Sequence, residues 1–300
     1  MLSELSLATG HVSLPVAYQL YLPEIWAHDP ARGNHAGVPQ EIRLQTTPEM
    51  AIEQIRWLVE GCLPYAPLLA DAAYGNDNGF RDGLQQLHLE YAVGAQSSTL
   101  VWPPGLAPLY AKGGGGMGRP PSLLRREAHA PLSVKELALC LSLSDLRRVS
   151  WCEGTRGTMH SRLAALRVRV AHRDYVRIQP RPEQWLLIEW PKTEKEPTKY
   201  WLSTMSATIS MRKLVATAKL RGRIERDYEE LKQELGLGHF ERRNWRGFHH
   251  HASFCIAACS FLAMERCLPP APDFPPLRAA SLQLRLPRLP HDAKPRGAAN

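Results

Sequence analysis

The spacing of apolar and polar residues in the first hundred positions predicts strands that alternate with helices. LSLATG and HVSLPVAYQLYLP are apolar and β-branched with a Gly-containing turn between them, which predicts a β-hairpin. Residues 28–47 are polar and contain Pro and Gly, so we expect a loop. The helix TTPEMAIEQIRWLVEG should follow, with Thr47 as N-cap, Pro48 at the first helical position and its end at Gly61. A strand in APLLADAAYG, a helix capped by Asn76 and a strand in YAVGAQS complete this part.

The middle of the chain changes to a pattern typical of an antiparallel sheet. Residues 102–130 contain WPPG and KGGGGMGRPP and should form a loop, because the Gly run lacks the Lys-Ser/Thr ending of a phosphate-binding loop. SVKELALCLSL predicts a capped helix. Strands are predicted in RLAALRVRVAHRDYVRIQP, QWLLIEWP and TKYWLSTM. We interpret residues 101–208 as a β-rich insertion that separates two α/β segments, residues 1–100 and 209–268.

Two long helices and a Pro-rich tail are predicted at the end of the chain. From about Ser210 to Leu235 the sequence is rich in good helix formers, with Gly236 and Gly238 as C-cap candidates. The next helix, FHHHASFCIAACSFLAMERC, is apolar nearly all round, which predicts burial. Residues 269–300 should be disordered, because eight prolines stand among the last thirty-three residues.

The positive charge of the chain is concentrated in one segment. Between Arg119 and Arg181 there are thirteen Lys and Arg residues against five acids, whereas the rest of the chain is neutral. Such an Arg surplus suits contact with DNA phosphates, and a solvated basic surface without a partner is the alternative. The six cysteines form no CxxC pair, which favours reduced thiols. No apolar run is long enough to span a membrane and no signal peptide is evident, so we expect a cytoplasmic, nucleoid-associated protein without membrane contact.

Two acidic residues are candidates for catalysis because of their positions. Asp71 ends the apolar run LLA, so its carboxylate should project from the C-terminal end of a central strand; a cap of the next turn is the alternative. Glu225 stands four residues after Arg221 and seven before Lys232, which brings the three to one helix face. A solvated face with salt bridges gives the same pattern, and spacing alone cannot select Glu225 over Glu229.

The segments LLADAAYG and RGRIERDYEELKQELGLGHFERRNWRGFHHHA, with β-rich sequence between them, resemble bacterial insertion-sequence transposases of the Asp-Asp-Glu (DDE) class. The resemblance covers about residues 5–268. These proteins carry a helix with Tyr, Arg, Glu and Lys at fixed spacing, which Arg221, Glu225 and Lys232 match, while Ala218 takes the Tyr place. The resemblance implies an α/β ribonuclease-H-like mixed sheet interrupted by an antiparallel β-rich insertion. It also implies double-stranded DNA as partner, a homodimer on DNA, and cleavage and strand transfer at transposon ends.

The family's chemistry assigns roles to these residues and indicates that one is missing. Asp71 and Glu225 correspond to catalytic metal ligands for Mg²⁺ or Mn²⁺, two ions in the intact site, and Arg221 and Lys232 to DNA-binding residues. A further catalytic Asp is implied on an opening strand, but the earliest Asp here, Asp29, follows the YQLYLP strand. We therefore expect an N-terminally truncated, inactive enzyme. The alternative is a DNA-binding remnant that occupies transposon ends or pairs with an intact transposase.

Three other possibilities carry less weight. Five tryptophans near the middle segment could stack on an unpaired base, although most should belong to the core. The run His249 to His251 points in three directions on a helix, which disfavours a metal site. An α/β hydrolase is disfavoured because the sequence has no GxSxG motif.

Overall fold

The computed structural model describes residues 2–61, 66–109, 129–154, 157–172, 179–241 and 244–267. Residues 110–128 of the predicted loop, which include its Gly run, and the Pro-rich tail lie outside these ranges, as do six of the thirteen basic residues of the Arg-rich segment. The strands are β1 (Leu2–Ala8), β2 (Ser13–Leu20), β3 (Leu68–Ala70), β4 (Tyr91–Ala95), β5 (Leu100–Trp102), β6 (Leu132–Ser133), β7 (Arg147–Gly154), β8 (Gly157–Val170), β9 (Gln184–Glu189) and β10 (Lys199–Ser203). The α-helices are α1 (Glu24–Ala27), α2 (Pro30–Ala36), α3 (Thr47–Glu60), α4 (Ala72–Gly75), α5 (Asn78–Gln86), α6 (Val134–Leu139), α7 (Met211–Gln233) and α8 (Trp245–Cys267).

The strands form a two-stranded sheet and a larger mixed sheet. β1 and β2 make the predicted antiparallel hairpin. The larger sheet has eight strands in the order β3-β4-β10-β9-β8-β5-β6, with β7 paired to β8. β3 and β4 are parallel and the other pairs are antiparallel. The strands predicted for an insertion thus extend the sheet of β3 and β4 within the described residues.

Helices cover both faces of the larger sheet. Along β4, Tyr91, Val93 and Ala95 pack in one core cluster with α3 and α5, whereas Ala92 packs in another with α7. This division follows from the alternation of side chains along a strand. The sheet therefore lies between α3 and α5 on one face and α7 on the other. The mixed α/β fold is compatible with the predicted ribonuclease-H-like class.

Three predictions about helix starts and loops were wrong. The N-cap of α3 is Thr46 and not Thr47, because Thr46 and Glu49 form a capping box. Asp77 and not Asn76 caps α5, since its carboxylate accepts the Phe80 N–H. Within the predicted loop 28–47, Pro30–Ala36 is helical, with Asp29 as the capping acceptor.

The two long helices α7 and α8 differ in how much of their surface is buried by other parts of the chain. α7 begins after the N-cap Ser210 as expected, and the buried Asp227 joins it to β2, because its carboxylate accepts the Ser13 N–H at 2.9 Å and the Ser13 hydroxyl at 2.7 Å. The prediction that α8 is buried was wrong: Phe254 is 71% exposed and Phe261 57%. Among the described residues, no helix combines the length and apolar character that crossing a bilayer requires.

Candidate active site

Asp71 stands where β3 ends and α4 begins. Its Oδ1 accepts the backbone N–H groups of Ala73 at 2.9 Å and Tyr74 at 3.2 Å, so the carboxylate caps the short helix. Its other oxygen, Oδ2, faces α7 across the end of the strand. The capping and functional interpretations of Asp71 are therefore compatible, because each uses a different oxygen.

Arg221 connects Asp71 to Glu225. Its Nη2 lies 3.5 Å from Asp71 Oδ2 and 2.9 Å from Glu225 Oε1. Those two distances add to 6.4 Å, which is the largest separation that these two oxygens can have. Two acids that are 154 positions apart in the sequence thus lie at one place, which a shared metal site of the kind that the resemblance implies would require.

The helix acids near Glu225 have other partners. Glu229 accepts a long hydrogen bond from Gln233 at 3.5 Å, and Asp227 binds Arg223 and Ser13. Glu225 is therefore the acid of this helix that shares Arg221 with Asp71, whereas spacing alone left Glu225 and Glu229 equivalent.

The pair opens on a groove that also carries positive charge. Lys199, Lys219 and Arg221 line it together with the two acids. Lys219 is the most enclosed, since its Nζ lies 2.6 Å from Glu189 Oε2 and over the rings of Trp151 and Trp201. Burial lowers the pKa of Lys219, and the Glu189 carboxylate opposes that shift. Lys219 therefore ties α7 to the sheet, which leaves Lys199 and Arg221 nearer to the solvent side.

Two glycines set the position of Asp71, and neither was predicted from the sequence. A Cβ on Gly94 of β4 would lie 2.7 Å from Ala72 N and 3.0 Å from Asp71 C, and one on Gly75 would lie 1.9 Å from Gly94 O. The turn after β3 thus packs directly on the β4 backbone. A Gly inside an apolar strand often marks such an approach, and YAVGA carries that signal.

Lys232 lies farther along α7 than the acids. It is seven residues beyond Glu225, about 10 Å along the axis at 1.5 Å per residue. Its Nζ lies 4.1 Å from the centre of the Tyr228 ring. Lys232 is exposed and shares the helix face with Glu225, but it does not contact the acid pair.

Several other candidates have structural partners. Ala218, in the Tyr place of the signature, is only 3% exposed, and Trp102 and Trp201 are also buried. Arg181 is buried and forms an ion pair with the partly exposed Asp82, and Arg169 binds Glu183 at 3.2 Å. In the described part of the Arg-rich segment, Arg147 and Arg148 on β7 remain exposed. The histidine run makes local contacts, such as His251 Nε2 to Gly236 O at 2.8 Å.

A family model described as DDE superfamily endonuclease matches residues 2–158, which is more than half of the chain. The chain belongs to the DDE superfamily endonucleases. The family implies a DNA substrate, and its endonucleases typically use divalent metal ions. Asp71 lies within the matched range and Glu225 lies outside it. The inclusion of Glu225 in the candidate site therefore depends on its contact with Arg221. A search of the curated proteins finds no match to the chain.

The two acids of this DDE endonuclease provide some, but not all, of the ligands that a two-ion metal site needs. Mg²⁺ is commonly held by one or two carboxylates with water completing its shell, and Asp71 and Glu225 supply two. Within the described ranges, no group of three or more His, Cys, Asp or Glu side chains is placed to hold a metal. The described acids thus suit one ion with much of its water shell, and the two-ion site of the resemblance needs further ligands.

Proposed function

We propose that this DDE endonuclease is a transposase of the insertion-sequence type, which cuts DNA at transposon ends and joins it to a target. In this proposal the core is ribonuclease-H-like and α7 is the signature helix. Asp71 and Glu225 are the catalytic residues and metal ligands, and Arg221 and Lys232 contact DNA. The observation that carries the proposal is the bridge from Arg221 to both acids.

The proposed roles follow from the chemistry of phosphodiester cleavage. A bound Mg²⁺ or Mn²⁺ supplies activation of the attacking oxygen and stabilisation of the leaving oxygen. Asp71 presents Oδ2 while its Oδ1 is held by two backbone N–H groups, so its orientation is fixed in advance. Arg221 offers a planar guanidinium, which suits a backbone phosphate once its carboxylate partners turn to a metal ion.

We further propose that the described acids are insufficient for activity. The resemblance calls for three carboxylates, and loss of one member of a catalytic unit usually removes nearly all of the activity. A DNA-binding remnant that occupies transposon ends, or pairs with an intact transposase, is the second candidate. It is favoured by Arg221, whose single positive charge is shared between the two acids.

Mn²⁺ binding and DNA cleavage test these proposals separately. Free Mn²⁺ would be followed by electron paramagnetic resonance in the wild type, in Asp71→Asn and in Glu225→Gln. We expect each substitution to weaken Mn²⁺ binding, whereas Glu229→Gln, on the same helix, should leave it unchanged. Equal binding in all four proteins would contradict the metal site.

A supercoiled plasmid that carries the DNA flanking the gene would serve as substrate. We expect DNA binding that weakens steeply with salt, because phosphate contacts release counterions. We expect no nicking by the chain alone. Robust nicking that Asp71→Asn abolishes would refute the claim of inactivity, and absence of DNA binding would refute both candidate functions.

A further inference from the structure

The short helix α4, which begins directly after Asp71, is attached to the sheet by the residue that follows it. The Nδ2 of Asn76 donates to Ala72 O at 2.6 Å. Its Oδ1 accepts the Gln96 N–H at 3.2 Å and the Thr99 hydroxyl at 2.9 Å. An Asn amide carries both donors and acceptors, which allows it to bridge two segments in this way. One side chain thus joins the residue next to Asp71 to the loop between β4 and β5.

A buried arginine binds the other end of α4. Arg81 of α5 is only 2% exposed, and its guanidinium donates from Nη1 to Gly75 O and from Nη2 to Asn78 Oδ1. Gly75 is the last residue of α4, and the carbonyls at the end of a helix have no partner inside the helix. Burial lowers the pKa of Arg81, because removal from water disfavours its charge. The bond to Gly75 is therefore made where little water competes for it.

These hydrogen bonds restrict the movement of α4 relative to β4. The close backbone contacts at Gly75 and Gly94 prevent α4 from approaching the strand further. Asn76 and Arg81 oppose movement in the other direction, because each attaches a carbonyl of α4 to a neighbouring segment. The Asp71 side chain is 39% exposed, so burial alone does not fix its carboxylate. The position of the carboxylate therefore depends on the attachments of α4.

We propose that Asn76 and Arg81 are positioning residues for Asp71, which act through Ala72 O and Gly75 O to hold its carboxylate where a divalent ion can bind. The inference rests on the proposed function, because it identifies what supports one of the proposed metal ligands. Residues that orient a metal ligand from behind typically contribute about 10- to 100-fold to metal affinity. A role in stability alone would leave the metal affinity of the folded protein unchanged.

Mn²⁺ binding by folded variants of the full chain tests the proposal. Free Mn²⁺ is followed by electron paramagnetic resonance in Asn76→Ala and Arg81→Met, at a temperature at which circular dichroism shows each protein to be folded. We expect the Mn²⁺ dissociation constant to rise about tenfold in each variant. Loss of the Arg81 charge would by itself favour a cation, so weaker binding in Arg81→Met reports a change of position. Arg81→Lys keeps a charged donor and should lose less affinity than Arg81→Met.

Two substitutions that affect α3 serve as matched controls. Thr46→Ala removes the side-chain cap of α3 and is, like Asn76→Ala, the loss of a neutral hydrogen-bonding group. Arg56→Met removes a positive charge from an exposed position of α3. Both controls should bind Mn²⁺ as the wild type does, because neither residue is attached to α4 in the described part of the chain.

Hydrogen exchange in the absence of metal gives a second measurement. The N–H of the exposed Ala73 donates to Asp71 Oδ1, so its protection from exchange depends on that carboxylate. We expect exchange at Ala73 to be about tenfold faster in Asn76→Ala and Arg81→Met than in the wild type. Thr46→Ala should leave it unchanged, because opening of α4 is a local event that does not require the whole chain to unfold.

The outcomes separate this inference from the proposed function. Weaker Mn²⁺ binding together with faster Ala73 exchange in the two variants supports the inference. In a chain that binds Mn²⁺, either effect without the other overturns it, and so does the absence of both. Asn76→Ala alone decides the matter if Arg81→Met fails to fold. If the wild type binds no Mn²⁺ but Ala73 exchange still accelerates, the proposed metal site is wrong and the positioning of Asp71 stands.

Discussion

Replacing Arg221 by Gln should tighten the binding of a divalent ion, although it removes a residue from the proposed site. The guanidinium supplies positive charge between Asp71 and Glu225, where the proposed metal ion would bind. A metal ion must compete with it. Gln keeps most of the length of the side chain and removes the charge, so the two carboxylates should then accept Mn²⁺ more readily.

The size of the effect follows from the exposure of the three side chains. Arg221 is 29% exposed, Asp71 39% and Glu225 59%, so solvent screens both ion pairs. Exposed pairs contribute about 0.2–1 kcal/mol each, which gives about 0.4–2 kcal/mol for the two. At 1.36 kcal/mol per factor of ten, the Mn²⁺ dissociation constant should fall by about 2- to 30-fold.

Electron paramagnetic resonance of free Mn²⁺ at low salt measures the change. Arg226→Gln is the matched control, because it removes the same charge from an exposed position of α7. The same Arg221→Gln protein should bind DNA more weakly than the control. Weaker Mn²⁺ binding in Arg221→Gln than in Arg226→Gln would refute the idea that the guanidinium occupies the place of the cation.

Three further substitutions test the packing around the site. Gly94→Ala should weaken Mn²⁺ binding and lower the free energy of unfolding in urea by about 1–3 kcal/mol, because its Cβ meets backbone atoms. Gly33→Ala should have neither effect, because a Cβ at that position meets open space. Lys219→Met should lower the free energy of unfolding by about 3–5 kcal/mol, because it leaves the buried Glu189 carboxylate unpaired. Adding Glu189→Gln should restore most of the lost stability, and no recovery in the double variant would contradict this explanation. Burial raises the pKa of Glu4 above 4.5, so the folded state holds that proton more tightly than the unfolded state, and stability falls as pH rises through the raised pKa. Glu4→Gln should therefore lose less thermal stability than wild type as the pH rises above 4.5, and an equal loss in the two proteins would exclude this contribution.

The parts of the site that the sequence predicted are those encoded locally. An apolar run that ends in an acid predicted the place of Asp71, and helical spacing put Arg221 and Glu225 on one face. The cap of α2 was also readable, because Asp29 precedes a Pro at the first helical position, but the polar composition of the segment obscured it.

The parts that the sequence did not predict depend on contacts between distant segments. Helical spacing does not reveal what faces a helix, so it could not predict that Arg221 binds Asp71 as well as Glu225. The order of strands is equally long-range: β8, β9 and β10 have the alternation of a separate antiparallel sheet, yet β10 pairs with β4 and extends the existing one. The approach of Gly75 to Gly94 likewise joins two segments whose mutual distance no local pattern encodes.

The enclosure of Lys219 gives α7 a single register on the sheet. Its ammonium contacts a carboxylate on β9 and indole rings on β7 and β10, so side chains from three strands bind the helix at one residue. A slide of one turn, about 5.4 Å, would break this attachment and carry Glu225 past Asp71. The alignment of the two acids is thus decided six residues before Glu225, by a lysine outside the acid pair.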